Sequence, residues 1–140
     1  MLDRILRPRV EGRAATAALA ARVAAGVVFV VFGIGKFTAH ATEVDSFTEY
    51  GLPSPGAFVY AIGVLEIVGG LLLIAGLLTR LAALALAGDM VGAIIVSGLK
   101  EGEAISLTLA PALLVTMLVL LWTGAAPPSL DGRISRRGDT

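Results

Sequence analysis

Four apolar stretches, at residues 14–37, 58–78, 81–99 and 105–123, decide what kind of fold this chain can adopt. Each is close to the roughly twenty residues that a helix needs to cross the hydrocarbon core of a bilayer. Membrane strands are shorter and alternate apolar with polar side chains, and these runs do neither. The glycines scattered through them would weaken a helix in water, but glycine is common in membrane helices. The expected fold is therefore all-α: a transmembrane four-helix bundle.

Composition supports this reading. Apolar residues make up 56% of the chain, above the roughly 45–50% of soluble domains. The charged residues gather at the two ends and in short connections. With 140 residues there is room for one domain. Residues 1–13 form a basic N-terminal segment, 14–123 the membrane domain and 124–140 a polar tail. The segment after Pro127-Pro128 is expected to be mobile.

The net charge is zero, but its distribution sets an orientation. Arg4, Arg7, Arg9, Arg13, Arg80, Arg133, Arg136 and Arg137 fall on one side of the spans, and only Lys36 and Lys100 on the other. Basic residues mark the cytoplasmic side, so both termini are expected there, in a bacterial inner (plasma) membrane crossed several times. A cleaved secretory leader ending near Ala39-His40-Ala41 is disfavoured, because Arg22 interrupts its apolar run and Lys36 precedes the site. The long outer connection carries Phe47, Tyr50 and Leu52 at and just before a Gly51–Gly56 turn segment, which suggests a short interfacial helix. Trp122 reads as an interfacial anchor.

Three charges lie inside the spans: Arg22, Glu66 and Asp89. A charge at the bilayer centre costs about 2.5–3.5 kcal/mol on insertion scales, so each needs a partner. Each is centred on a face of small residues. Gly63 and Gly70 flank Glu66, Gly69 sits beside them, and Gly92 follows Asp89 by three, so these four glycines are expected to pack around the charges. Counting about 1.5 Å per residue places Arg22 and Asp89 about 12 Å deep and Glu66 about 18 Å deep, within reach of one arginine. An Arg22–Glu66–Asp89 cluster is thus expected. Two carboxylates on one guanidinium leave one negative charge over, which points to a shared proton. A structural knot that sets helix register and a proton-handling or ligand-binding site both fit these residues. Arg22 could also snorkel toward the headgroups. Lys36 and His40 are outer-face candidates for a headgroup or anion on an otherwise solvated edge. Thr108 and Thr116 share a face of the fourth span and could offer hydroxyls to the cluster, although bonding within their own helix is the favoured reading, and Pro111 is expected to kink that helix.

Several chemistries find no residues here. The chain has no cysteine and one histidine, which leaves no metal site of the usual kind and no intrinsic cofactor attachment. No phosphate loop, Ser-His-Asp set or nucleic-acid motif occurs.

The motifs Arg22 with FVVFGIGKF, GLP at Gly51–Pro53, Leu65-Glu66 with Gly69-Gly70, and Leu77-Leu78-Thr79-Arg80 resemble the DoxX family of small bacterial membrane proteins. The resemblance runs from about Arg22 to Leu130. It implies a four-helix inner-membrane protein, a subunit or scaffold of a quinone-linked redox assembly, such as those built around thiosulfate:quinone oxidoreductase. It also implies other membrane or redox proteins as partners; independently of the resemblance, four spans can assemble with further copies of the chain. Without cysteine or a haem-ligand histidine pair, electron transfer would require a partner protein or a bound quinone. The alternatives are a small proton-coupled transport or permeation protein and a lipid-binding scaffold without catalysis.

Overall fold

The computed structural model describes residues 2–137, with side chains from residue 4. The helices are α1 (Leu2–Leu6), α2 (Gly12–Thr38), α3 (His40–Glu49), α4 (Pro55–Ala75), α5 (Thr79–Ala93), α6 (Ala104–Thr123) and α7 (Leu130–Arg137). A π-helical segment, Ile94–Lys100, extends α5. No strand occurs among the described residues. Four helices, α2, α4, α5 with its extension, and α6, are long and apolar enough to cross a membrane. Four crossings return the chain to its starting side. Accordingly α1 packs on α7, and the Arg9 N–H donates to the Thr123 carbonyl at 2.8 Å.

The antiparallel pair α2 and α4 is the most extensive contact in the bundle. Gly26 faces Gly70, and Gly33 faces Gly63 two helical turns away. A methyl added to Gly70 would come within 2.6 Å of the Gly26 carbonyl oxygen, and one on Gly33 within 2.8 Å of that of Gly63. Only glycine permits this approach, which gains dispersion contact where the surrounding lipid offers no hydrophobic driving force. On the other side of α4, Gly69 accommodates the Leu86 side chain of α5. Leu73, Leu86, Met117 and Leu120 then close a core shared with Phe29 of α2.

Gly76 ends α4 at φ +66°, where its N–H reaches the Leu73 carbonyl and that of Leu77 reaches Leu72, a Schellman closure. The next turn is capped from a distance. Asp131 of α7 accepts from the backbone N–H groups of Leu78 (2.7 Å) and Thr79 (3.0 Å), the donors that a helix start leaves free. Asp131 is fully buried. The tail therefore departs from the mobile segment expected of its composition: residues 130–137 form a helix docked under the bundle. The long connection between α2 and α4 does contain a short helix, α3, followed by a turn through Gly51 at φ +74°. Pro111 stands inside α6 without ending it, while the Thr108 and Thr116 hydroxyls donate to the carbonyls four residues back.

Candidate functional site

Glu66 projects from the middle of α4 and is 4% exposed. Its partner is Lys36, near the end of α2 and 9% exposed, whose Nζ lies 3.1 Å from Oε2. At this separation the two side chains form a close ion pair within the buried interior. Lys36 also stands 3.9 Å from Glu43 of α3. Asp89 of α5 faces the same space and interacts electrostatically with both Lys36 and Glu66. Its Oδ2 is buried without a hydrogen-bond partner.

Arg22 does not join this group. Its Nη2 donates to the Pro128 carbonyl at 2.8 Å, and its guanidinium lies over Gly76 at the terminal end of the bundle. The reason is geometric. The Gly26–Gly70 and Gly33–Gly63 pairs place Arg22 level with the end of α4, well below Glu66. Helical side chains also lean toward the N-terminus of their own helix. On α2 that lean carries Arg22 away from Glu66 and brings Lys36 down toward it. Arg22 does reach toward the headgroup side, as snorkelling would require, but it ends 1% exposed beneath the C-terminal segment.

Lys36, Glu66 and Asp89 form the polar inner part of a cavity of about 370 Å³. Its walls are largely apolar, with rings from Phe29, Phe32, Phe47 and Phe58. At the end toward α3 lies a second polar group. Glu103 Oε2 accepts from the Ser106 hydroxyl at 2.8 Å and from the Tyr50 hydroxyl at 3.4 Å, and Ser97 is in close hydrogen-bond contact with Ser106. Burial and the Glu103 carboxylate push the Tyr50 phenol above its ordinary value, so it remains a neutral donor. Ser97 enters this group from the π-helical segment, whose wider turn departs from the 3.6-residue register; such turns recur at functional sites.

The other expected residues divide. Gly63, Gly69 and Gly70 are helix-packing positions. Gly92 is not: a methyl there would meet nothing within 4 Å, because the residue borders the cavity. His40 lies outside the cavity, stacked on Tyr60 with ring centroids 4.0 Å apart and Nδ1 3.3 Å from the Lys36 carbonyl. A signal that could have found Lys36 lies in its spacing, since it continues the Gly26, Phe29, Gly33 stripe by one further step of three. Glu103, Ser106, Ser97 and Tyr50 carried no comparable sequence signal. Among the described residues no three His, Asp or Glu side chains converge as a metal site would need.

The DoxX family profile matches residues 17–98, which include Lys36, Glu66 and Asp89. The chain belongs to the DoxX family. Among its DoxX-type relatives is a Mycobacterium tuberculosis protein named "Uncharacterized membrane protein Rv3486", 36% identical over 130 residues, covering 83% of this chain and 80% of the relative. Another is "Putative oxidoreductase CatD" of Bacillus subtilis, 34% identical over 110 residues, covering 79% and 81%. No solved structure matches. This DoxX member is thus a membrane protein whose four apolar helices contact lipid.

Proposed function

We propose that this protein is a quinone-binding subunit of a membrane redox assembly, with the headgroup held in the cavity between α3 and Glu66. The observation that carries this reading is an apolar, aromatic-walled cavity with Lys36, Glu66 and Asp89 at its inner end. Its volume of about 370 Å³ falls in the range of small-molecule sites. A quinone ring is flat and apolar, so aromatic walls suit it. Its carbonyl oxygens only accept hydrogen bonds, and the Lys36 ammonium, with three N–H groups, supplies donors at the inner end, while the Tyr50 and Ser106 hydroxyls would add to them only by turning away from Glu103. Glu66 and Asp89 are placed to exchange the protons that accompany quinone reduction or quinol oxidation. The chain has no cysteine and a single histidine, so electrons would reach the ligand from a partner protein. The name of the Bacillus subtilis relative agrees with a redox role.

The proposed setting is a bacterial inner membrane with both termini cytoplasmic, resting on the eight arginines at the terminal side. The cavity then lies toward the outer face. Because the chain lacks cysteine, single cysteines introduced at Thr42 and at Arg133 report sidedness directly with an impermeant maleimide.

The functional test is photo-crosslinking of purified protein with azido-ubiquinone and azido-menaquinone, followed by peptide mapping. Labelling of α3, α4 or α5 that unlabelled quinone suppresses, and that Glu66→Gln reduces, is the expected result. Labelling that unlabelled quinone fails to suppress, or that Glu66→Gln leaves untouched, would sink the proposal.

A further inference from the structure

We infer that the cavity is selective for charge and takes organic cations with an apolar body, excluding anions of the same size. This goes beyond the quinone reading and does not depend on it, because it follows from the balance of charge around the cavity rather than from hydrogen-bond donors.

One cation, Lys36, faces four carboxylates along the wall: Glu43, Glu66, Asp89 and Glu103. Lys36 is already shared, at 3.1 Å from Glu66 and 3.9 Å from Glu43. Among the described residues neither Asp89 nor Glu103 forms an ion pair. Asp89 has a buried oxygen without a hydrogen-bond partner at the inner end. Glu103 is held at the other end by two neutral hydroxyls. A cleft with one sign of charge and low-dielectric walls concentrates counter-ions, and walls of this kind weaken the screening that water would provide.

The wall chemistry narrows the kind of cation. Five rings, Phe29, Phe32, Phe47, Tyr50 and Phe58, line the same space. Aromatic faces attract cations, and clustered rings are a recurring receptor for quaternary ammonium groups, which need no hydrogen-bond acceptors. A small hydrated metal ion would forfeit its water against these walls. An amine or quaternary ammonium on an apolar body satisfies both the rings and the unpaired carboxylates.

The test uses equilibrium dialysis of the purified chain in a neutral maltoside detergent. Benzyltrimethylammonium and benzenesulfonate serve as cation and anion probes of similar size, and empty micelles as the blank. The expected result is saturable binding of the cation, at least tenfold tighter than the anion. Asp89→Asn and Glu103→Gln should each weaken it several-fold. Glu103→Gln lies on the exposed side and preserves a reading if the buried variant fails to fold. Binding that does not saturate above the micelle blank, equal affinity for the two probes, or cation affinity unchanged in the folded variants would overturn the inference. The quinone assay uses a neutral probe, so either proposal can fail without the other.

Discussion

The close pairing of α2 and α4 makes a quantitative forecast for Gly70→Ala. The added methyl would lie 2.6 Å from the Gly26 carbonyl oxygen, 2.8 Å from a Val30 methyl and 3.0 Å from the Val30 nitrogen. Two of these three obstacles are backbone, which cannot swing aside as a side chain tip can. Ordinary contact begins near 3.4 Å, so the helices must part by most of an ångström at that level. Overpacking of this kind costs about 1–3 kcal/mol, against a gain of about 1 kcal/mol from the better helix propensity of alanine. A net loss is expected. Gly92→Ala is the control, because its methyl meets nothing within 4 Å and only the propensity term applies. Gly26→Ala should resemble Gly70→Ala, and the double variant should cost less than the sum, since helices that have already parted admit both methyls. Thermal unfolding in a neutral detergent, followed by retention on size exclusion, ranks the variants. Gly92→Ala falling as far as Gly70→Ala, or Gly70→Ala surviving to higher temperature than the wild type, would refute the packing argument.

Three further outcomes are expected. Lys36→Met leaves the buried Glu66 carboxylate without its cation and should cost about 3–5 kcal/mol. Adding Glu66→Leu should recover much of that, as a double-mutant cycle by thermal unfolding can measure. Asp131→Ala removes the cap on Leu78 and Thr79, for a loss of about 1–2 kcal/mol. It should also release α7, so that trypsin cuts after Arg133 sooner than in the wild type. Tyr50 should ionise above its ordinary value of 10.0. Its favourable neutral contact is then present below that pH and is lost as pH rises through the raised value. Difference absorbance of the phenolate against Tyr50→Phe reads the midpoint, which Glu103→Gln should lower.

The four spans and their neighbours were legible because length and hydropathy alone specify a crossing helix. The glycines on either side of Glu66 were legible too, since helical spacing puts them on one face. What spacing along an axis could not convey was the lean of the side chains. Arg22 and Lys36 sit on one stripe of α2, and the depth count favoured Arg22, whereas the lean toward the helix N-terminus favours Lys36. Gly92 shows the converse limit, for a small residue beside a carboxylate marks either a close helix or an open space. The docked tail is not legible because its polar composition hides a single long-range cap: Asp131 is an ordinary charged residue until the turn after α4 supplies two free N–H groups. The π-helical segment has no local signature, so the placement of Ser97 beside Ser106 lay beyond periodicity.

The docking of the C-terminal segment makes the two ends of the bundle mechanically unlike. At the terminal end, Arg22, Asp131 and the Arg9–Thr123 bond tie α2, α5 and α6 to one another through the ends of the chain. At the opposite end the corresponding connection is α3, which has no buried residue, with the cavity beside it. Any splaying of the helices is therefore expected at the α3 end, pivoting about a fastened base. A molecule entering between α3 and Glu66 would deform only the soft half, and the ring of arginines at the other face would keep its register with the headgroups throughout.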